Sequence, residues 1–236
     1  MSDPFATTKN VEINLDGLSV MIGMPAGRDL PPLTVKSLMG TQALCQKRKI
    51  PFCFGMVAGS SVVQWARDEV ADLFLQGDMN RLFWVDSDMV WEPQDFMRLL
   101  ALSQFHDVVC ATYPAKIDRP TFYVNRDPDV DLVPNEFGLV EVWGVGLGFT
   151  VMHRRVIEQL AANVPKVTDD VSGREMAEVF RIDHKETNGK RSRRGEDMAF
   201  FSDVRALGHK VWLDREINLG HVGVKTYRGS IMDAFK

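Results

Sequence analysis

The chain has 236 residues, of which 45% are hydrophobic and 25% are charged, with a formal net charge of -4. This length suits one sizeable α/β domain, and the composition supports a packed core and excludes an intrinsically disordered chain. The mildly acidic balance gives no electrostatic reason to expect nucleic acid as a partner.

Cysteine usage and the start of the sequence indicate the compartment. Cys45, Cys53 and Cys110 are too widely spaced for a zinc ribbon, and their odd number suits a reducing compartment better than a disulfide scaffold. The first residues lack the basic and then apolar pattern of a signal peptide. No uninterrupted apolar run approaches the ~18 residues that a membrane span needs. We therefore expect a cytoplasmic protein without a membrane span.

In the first half of the chain, short apolar runs alternate with helical patterns. The predicted strands are 18–24, 52–57, 82–85 and 108–112, and the predicted helices are 34–48, about 60–77 and 93–105. Near-continuous apolar strands that alternate with helices are typical of a mostly parallel sheet covered on both faces. In such sheets, ligands bind beyond the carboxyl ends of the strands. The loop at Pro25, Ser60, the segment 86–88 and Tyr113 all fall on that edge.

Each predicted helix carries apolar residues at helical spacing, which should face the core. These residues are Val35, Leu38, Met39 and Ala43 in the first helix, Val63, Ala66, Val70, Leu73 and Phe74 in the second, and Phe96, Leu99, Leu100 and Leu102 in the third. Ser60 or Ser61 is the expected N-cap of the second helix, and Gly77 is its expected C-cap.

The second half of the chain is less regular. The segment 113–136 is rich in Pro, Asp and Arg and indicates irregular structure or a hairpin, and 139–152 holds β-prone residues interrupted by glycines. A helix is predicted over 155–162, a long polar loop over 165–195, a helix over 196–207 and a short strand over 211–213. A loop of that length in a compact domain is usually functional or disordered.

Two carboxylates, Asp86 and Asp88, directly follow the apolar run that ends at Val85. Separated by one residue, both can approach a hard cation from a turn. Bound Mg²⁺ or Mn²⁺ would keep positions open for phosphate oxygens and would stabilise a departing diphosphate. The alternative is that both aspartates only cap the turn after the strand. Their place at the end of a strand in an alternating strand–helix pattern favours the cation site.

Glu196 and Asp197 open the helix that follows the long polar segment. Acidic residues are favoured in a first helical turn because they complement the helix dipole, so a purely structural role is one interpretation. The functional interpretation is a general base that deprotonates an acceptor hydroxyl. From the residues alone, both stay open.

His221 lies among glycines near the C-terminus. A single His is more often structural than a ligand. Here the neighbouring Gly220 and Gly223 allow close backbone approach, and neutral imidazole is a common metal ligand. His221 is therefore a candidate third ligand for the cation.

Two further features have two interpretations each. The basic run Lys190–Arg194 is either a solvated face or a segment that closes over a diphosphate, where Arg provides bidentate hydrogen bonds. Trp143, beside a group of glycines, belongs either to the core or to a surface that stacks on a sugar ring.

The order and spacing of these features resemble a GT-A glycosyltransferase, similar to family 2 and to the small forms found in bacteria and their phages. The resembling segments are Ile22-Gly23-Met24-Pro25, Ala66-Arg67-Asp68, Leu82 to Met89, Tyr113-Pro114-Ala115-Lys116, Gly144 to Phe149, Gly195-Glu196-Asp197 and Gly220-His221-Val222-Gly223. The resemblance covers roughly 18–224. It implies a Rossmann-like GT-A fold in one domain, with a nucleotide-binding half at about 18–115 and an acceptor half at about 116–224.

The resemblance also implies roles for individual residues. Asp86, Asp88 and His221 would hold Mn²⁺ or Mg²⁺, and Asp197 would be the base of an inverting enzyme, with Glu196 beside the acceptor. The residues expected at the nucleotide or the donor sugar are Pro25, Ala26, Arg28, Arg67, Asp86, Ser87, Trp143, Gly144, Gly146 and Arg194. The donor would be a nucleotide diphosphate sugar, most simply a UDP-sugar, and the acceptor an unidentified hydroxyl.

Two departures from the family pattern limit this comparison. Asp68 stands where members often have Asn after the Arg, and the chain leaves little sequence for a dedicated acceptor domain. A sugar-nucleotide nucleotidyltransferase is the alternative enzyme, but the loop after the first strand lacks its Gly-rich basic run. A non-catalytic binding protein of the same fold is the third hypothesis.

Overall fold

The structure of the protein is a computed structural model. It describes residues 15–27, 29–129, 131–170, 172–187 and 189–232. The helices among them are α1 (Pro32–Lys47), α2 (Val63–Gln76), α3 (Pro93–Leu102), α4 (Arg154–Ala162) and α5 (Glu196–Ala206). The strands of the central sheet are β1 (Val20–Ala26), β2 (Phe52–Ala58), β3 (Arg81–Val85), β5 (Val108–Ala111), β7 (Leu139–Val142), β9 (Phe149–His153) and β14 (Val211–Asp214). The shorter strands are β4 (Met89–Val90), β6 (Val124–Asn125), β8 (Gly144–Val145), β10 (Lys166–Thr168), β11 (Glu175–Ala177), β12 (Asp183–Thr187), β13 (Lys190–Arg194), β15 (Leu219–Val222) and β16 (Thr226–Gly229).

The central sheet has seven strands in the order β2-β1-β3-β9-β5-β14-β7. The pairs β1–β2, β1–β3 and β5–β14 are parallel, whereas β9 runs antiparallel to both β3 and β5, and β7 runs antiparallel to β14. Five strands therefore point one way and two the other. The predicted mostly parallel α/β sheet with its flanking helices is confirmed.

Alternate residues of the central strands enter two separate cores, one on each face of the sheet. On one face, Val20 and Ile22 pack with Phe96. On the other face, Met21 packs with Val70. Because both faces of the sheet are covered, the strands are continuous apolar runs and do not alternate between apolar and polar residues. Such runs are easy to recognise in the sequence.

The face that α1 buries differs from the predicted one. Val35 and Met39 are exposed, and the buried side chains are Thr34, Ser37, Thr41 and Cys45. The cause is Trp91, whose backbone N donates to Ser37 Oγ at 3.1 Å and whose indole Nε1 donates to Thr41 Oγ1 at 2.8 Å. A polar helix face can be buried when its hydroxyl groups have hydrogen-bond partners.

Helix α2 buries the predicted Ala66, Val70 and Phe74, which confirms most of its predicted core face. Val63 and Leu73 are exposed, and the helix also buries Arg67 and Asp68. Charged side chains are rarely buried without partners, and both have them. Asp68 Oδ1 accepts the backbone N–H groups of the segment at Val179 and Phe180, at 2.9 and 3.0 Å.

The predicted loop over 165–195 is wrong. This segment forms two antiparallel hairpins, β10–β11 and β12–β13. Their strands are polar and mostly exposed, so they lack the apolar alternation that signals a strand. Backbone ladders and cross-strand ion pairs, such as Lys166 with Glu175 and Arg194 with Asp183, connect the two strands of each hairpin instead.

A small antiparallel sheet, β16-β15-β4, lies next to the end of β3. In it, His221 pairs with Met89, and Val222 N donates to the Asp88 carbonyl at 2.8 Å. His221 is thus within a strand rather than after one. Among the described residues, none of the five helices has the length and apolar character that crossing a membrane requires.

Gly23, in the middle of β1, is expected to be essential for packing. A Cβ atom there would lie 2.5 Å from Val70 Cγ1 and 2.9 Å from Leu82 Cδ1. Overpacking of this kind typically costs about 1–3 kcal/mol, so Gly23→Ala should lower the free energy of unfolding in urea by that amount. Gly27→Ala is the matched control, because a Cβ there meets no atom within 4 Å. Equal stability of both variants would contradict this packing role.

Candidate functional site

A cleft of about 390 Å³ lies at the carboxyl ends of β1, β2 and β3. We call it the edge cleft. The sequence-predicted site residues that line it are Pro25, Ala26, Arg67, Asp86, Ser87, Asp88, Glu196, Asp197 and His221. Ser60, Ser61 and Tyr113 line it too. Residues from distant parts of the chain therefore meet at the sheet edge where the strand pattern places ligands.

Asp88 and His221 face each other in the edge cleft. His221 Nε2 lies 3.5 Å from Asp88 Oδ1, and both side chains are half-buried. His221 Nδ1 lies 2.9 Å from the Pro114 carbonyl oxygen. Because a carbonyl only accepts, Nδ1 carries the proton and donates, so Nε2 is the ring nitrogen directed at Asp88. A second hydrogen bond that fixes the ring in this way is the usual arrangement of a metal-binding His.

Lys116 contacts the same carboxylate from the other side. Its ammonium donates a hydrogen bond to Asp88 Oδ2. Burial by itself would raise the pKa of Asp88, but the neighbouring His221 ring and the hydrogen bond from Lys116 outweigh burial and hold that pKa below its usual value. Asp88 is therefore a charged carboxylate whose neighbours are the Lys116 ammonium and the His221 ring.

Asp86 does not join Asp88 and His221. Among the described residues, no group of three or more His, Cys, Asp or Glu side chains is arranged to hold a metal ion. Asp86 Oδ1 instead pairs with the Arg67 guanidinium at 3.1 Å, and Tyr113 Oη donates to Asp86 Oδ2 at 3.4 Å. The structure thus brings together two of the three predicted ligands, and it turns the third towards the interior of the cleft.

Arg67 connects three carboxylates at the base of the edge cleft. Its side chain is 3% exposed, and it pairs with Asp86, with Asp197 and, at 3.6 Å, with Glu196. Burial opposes the charge of Arg67, but these three carboxylates outweigh burial and raise its pKa. A single buried cation therefore links the turn after β3 to the first turn of α5.

The surroundings of Asp197 change the pKa of its carboxyl group. Burial is the largest influence and raises the pKa of Asp197, as does the nearby Asp86, while Arg67 acts in the opposite direction. The net result is a pKa above the usual value. A raised pKa suits a carboxylate that accepts a proton, because a stronger base takes the proton more readily.

Two glycines before β9 make room for these groups. A Cβ on Gly148 would lie 2.6 Å from Asp86 Oδ2 and 2.9 Å from Tyr113 Oη, and a Cβ on Gly146 would overlap the Tyr113 ring and hydroxyl. Gly146, which is predicted near the donor, and Gly148 therefore leave room for Tyr113 beside Asp86.

Several predicted site residues lie elsewhere. Trp143 and Gly144 do not line the edge cleft. The Trp143 ring lies 5.2 Å from the Arg205 guanidinium, and Gly144 packs against Phe201. Arg194 is engaged by Asp183 within the β12–β13 hairpin. Arg28 lies outside the described residues.

Asp68, the position that departs from the family pattern, is a structural residue. It does not line the edge cleft, and it binds the backbone at Val179 and Phe180. Burial raises its pKa to about 7. Its identity therefore carries no information about a nucleotide base.

Tyr113 and Lys116 contact the site, although the sequence predicts no role for either. The strand pattern places Tyr113 at the ligand edge, and both residues lie in a segment that resembles the family. Because the carboxyl ends of neighbouring strands converge, polar residues soon after β5 are candidates as well.

No protein-family model matches the chain, and no curated protein matches it significantly. Among solved structures, the chain resembles A197 from STIV. The two are 20% identical, with a TM-score of 0.56 over 87% of this chain and 86% of that chain. This likeness to A197 shows that nearly the whole chain shares one fold, and at this identity it shows the fold alone.

Two other solved structures match more weakly than A197. One is a glycosyltransferase involved in the glycosylation of the major capsid of PBCV-1, at 12% identity and a TM-score of 0.30 over 60% of this chain and 63% of that chain. The other is 4-diphosphocytidyl-2C-methyl-D-erythritol synthase from Anaerococcus prevotii DSM 20548, at 14% identity and a TM-score of 0.36 over 66% of this chain and 82% of that chain. Likenesses at these TM-scores carry no functional weight.

Proposed function

We propose that this protein is a metal-dependent GT-A glycosyltransferase that moves a sugar from a nucleotide diphosphate sugar, a UDP-sugar, to an acceptor hydroxyl with inversion. One observation carries the proposal: the Asp88–His221 pair and the Asp197 carboxylate line the same cleft, at the carboxyl edge of the sheet. In this proposal, the Asp88–His221 pair is the cation site, Asp197 is the base, and the diphosphate of the donor would lie in the edge cleft with them.

Asp88 and His221 Nε2 would hold Mn²⁺ or Mg²⁺. Their side chains fit a cation, because they already converge and because the proton on His221 Nδ1 is fixed by Pro114. Two protein ligands suffice, since Mg²⁺ is usually bound by one or two carboxylates together with substrate phosphates. When bound, the cation neutralises charge on the departing diphosphate. Asp86, held by Arg67, would face the ribose.

The remaining walls of the edge cleft suit a nucleotide. The loop after β1 supplies Pro25, Ala26 and Gly27, and the loop after β2 supplies Ser60 and Ser61. The described lining residues of these loops offer backbone and hydroxyl groups, which suits a neutral base and ribose. The cations of β13 would reach a diphosphate only if Arg194 exchanged its present partner, Asp183, for a phosphate.

Asp197 would act as the general base. It would take the proton from the acceptor hydroxyl, whose oxygen then bonds to the anomeric carbon of the donor sugar. The bond from that carbon to the diphosphate oxygen breaks, and the electron pair leaves with UDP. A single displacement of this kind inverts the anomeric configuration.

Calorimetry with UDP tests the proposal directly. UDP should bind in the presence of Mn²⁺ and much more weakly without it, because the cation connects the diphosphate to Asp88. A screen of UDP release across UDP-, GDP- and TDP-sugars then identifies the donor. If UDP does not bind in either condition, the chain is not a UDP-sugar transferase and the non-catalytic hypothesis is favoured.

His221→Ala should weaken Mn²⁺ binding in the presence of UDP by about 10- to 100-fold, the loss typical of groups that orient or complete a metal site. The melting temperature without metal should change little, because His221 is half-buried and lies in a peripheral sheet. His184→Ala, an exposed histidine of β12, is the control. A large loss of melting temperature with unchanged metal affinity would make His221 a structural residue.

A further inference from the structure

A second pocket, which we call the side pocket, opens beside the edge cleft. Its volume is about 520 Å³, and its walls come from the residues after β5, from β6 and from the start of α5. The two cavities share Tyr113, Glu196 and Asp197. A molecule in the side pocket and a molecule in the edge cleft therefore meet at Asp197.

The side pocket is large enough for more than one sugar residue. Pockets of ~300–1,000 Å³ bury drug-sized ligands, which is the size range of a disaccharide. Gly146 lines the pocket next to Tyr113, so the donor sugar of the proposed reaction would take this part. Tyr123 and Asn125 are exposed and line the rest. They form the mouth of the pocket, where an acceptor would enter.

The charges of the side pocket restrict the acceptor. Among the described residues, its ionisable lining groups are the carboxylates Glu196 and Asp197 and two tyrosines, with no Lys, Arg or His. Two cations border the lining along the chain: Arg194 pairs with Asp183, and Arg126 donates a hydrogen bond to the Asp127 carbonyl oxygen. Arg67 pairs with both acids and with Asp86, so one cation faces three carboxylates and the group keeps a net negative charge. This charge would repel a phosphate or carboxylate on the part of the acceptor that lies next to Asp197. The bound part of the acceptor must therefore be uncharged.

The other lining groups suit a ring with one apolar face and several hydroxyl groups. Tyr123 is 68% exposed and lines the pocket, so its ring is accessible to a ligand that enters there. Val124 and Met198 add apolar surface next to it, and Asn125 can both donate and accept hydrogen bonds. A flat aromatic ring beside an amide and a carboxylate binds the C–H face of a sugar ring while the polar groups bind its hydroxyls.

We propose that the side pocket binds the acceptor as a neutral sugar residue that stacks on Tyr123 and presents a hydroxyl to Asp197. This inference rests on the proposed function, because it assigns the acceptor of that reaction. It goes further by naming the acceptor class as an uncharged glycan and by naming Tyr123 as the residue that selects it.

Saturation-transfer NMR with small sugars tests the inference. The probes are neutral methyl glycosides of glucose, galactose, mannose and N-acetylglucosamine, measured with Mg²⁺ and UDP present, and the 6-phosphates of glucose and mannose measured in the same way. At least one neutral glycoside should bind, and more tightly than the sugar phosphates. Tyr123→Ala should weaken its binding by roughly tenfold, the equivalent of one lost aromatic contact.

Two variants control this experiment. Tyr123→Phe keeps the ring and should retain most of the binding. Trp65→Ala removes another aromatic side chain that is 64% exposed but lies outside both cavities, and it should have no effect. Tighter binding of the sugar phosphates, an unaffected Tyr123→Ala variant, or no glycoside binding while UDP still binds would each overturn the inference. Glycoside binding without any UDP binding would instead contradict the proposed function and leave the sugar site standing.

Discussion

Replacing Asp88 with Asn should nearly abolish metal-dependent binding of UDP. In the proposed site, Asp88 provides the only carboxylate that faces His221 Nε2 among the described residues. An amide keeps the shape of the side chain but removes its negative charge, so the cation loses its main electrostatic partner. We expect the affinity for UDP to fall by at least about 100-fold. Replacing a residue that only contacts a metal ligand typically lowers metal affinity about 10- to 100-fold, and Asp88 is a proposed ligand itself. Calorimetry of UDP binding with saturating Mn²⁺ measures this loss.

The comparison needs a carboxylate that lies nearby but outside the site. Asp118 is largely exposed and pairs with Lys225, so Asp118→Asn should bind UDP as the unmodified protein does. Thermal unfolding of both variants without metal shows whether the fold survives. If Asp88→Asn binds UDP with unchanged affinity and unchanged dependence on Mn²⁺, Asp88 is not a metal ligand and only caps the turn after β3.

Replacing Asp197 with Asn should lower sugar transfer by about 10²- to 10⁴-fold, the usual contribution of a general base. An amide cannot accept the proton of the acceptor hydroxyl. UDP binding should change only a few-fold, because Asp197 contacts Arg67 rather than the Asp88–His221 pair. The readout is the rate of UDP release with donor and acceptor, set beside the affinity for UDP from calorimetry.

Asp203→Asn is the matched variant for Asp197→Asn. It lies in the same helix, and its carboxylate pairs with Arg181 away from both cavities, so its transfer rate should be normal. The stereochemistry of the product gives an independent check by NMR. A product that retains the anomeric configuration of the donor would rule out a single displacement, and with it the assignment of Asp197 as the base.

Patterns along the sequence predict the central sheet because its strands are buried on both faces. The apolar runs at 18–24, 52–57, 82–85 and 108–112 all became strands, and α3 buries the predicted Phe96, Leu99, Leu100 and Leu102. The same approach misplaces the buried face of α1, and in α2 it predicts the buried apolar residues but misses Arg67 and Asp68. There, hydrogen bonds from Trp91 and ion pairs of Arg67 determine which face turns inwards, and such partners come from distant parts of the chain.

The sequence predicts which residues come together at the site. The sheet-edge rule indicates Asp86 and Asp88, and local context with the family resemblance indicates Glu196, Asp197 and His221. All five line one cleft. Their roles at the site remain predictions. What the sequence could not supply is the pairing of Asp86 with Arg67 instead of with His221, because a buried Arg is indistinguishable from a surface Arg in a helical pattern.

The hairpins within 165–195 show a second limit. Periodicity detects strands through burial, and β10 to β13 are mostly exposed. Their pairing depends on turns and on cross-strand ion pairs such as Arg194 with Asp183. The local composition shows only that the segment is polar and basic, and it does not reveal which residues pair.

The position of β9 in the sheet has a consequence for how the chain folds during synthesis. β9 lies between β3 and β5, which it separates in space although they are neighbours among the central strands along the chain. Until residues 149–153 have left the ribosome, β3 and β5 each present an unpaired edge, and such edges favour aggregation. Pairing over this sequence separation is also slow. A fragment that ends before β9 should therefore be insoluble or dependent on chaperones, and the sheet edge that carries Asp86 should become ordered only late in synthesis.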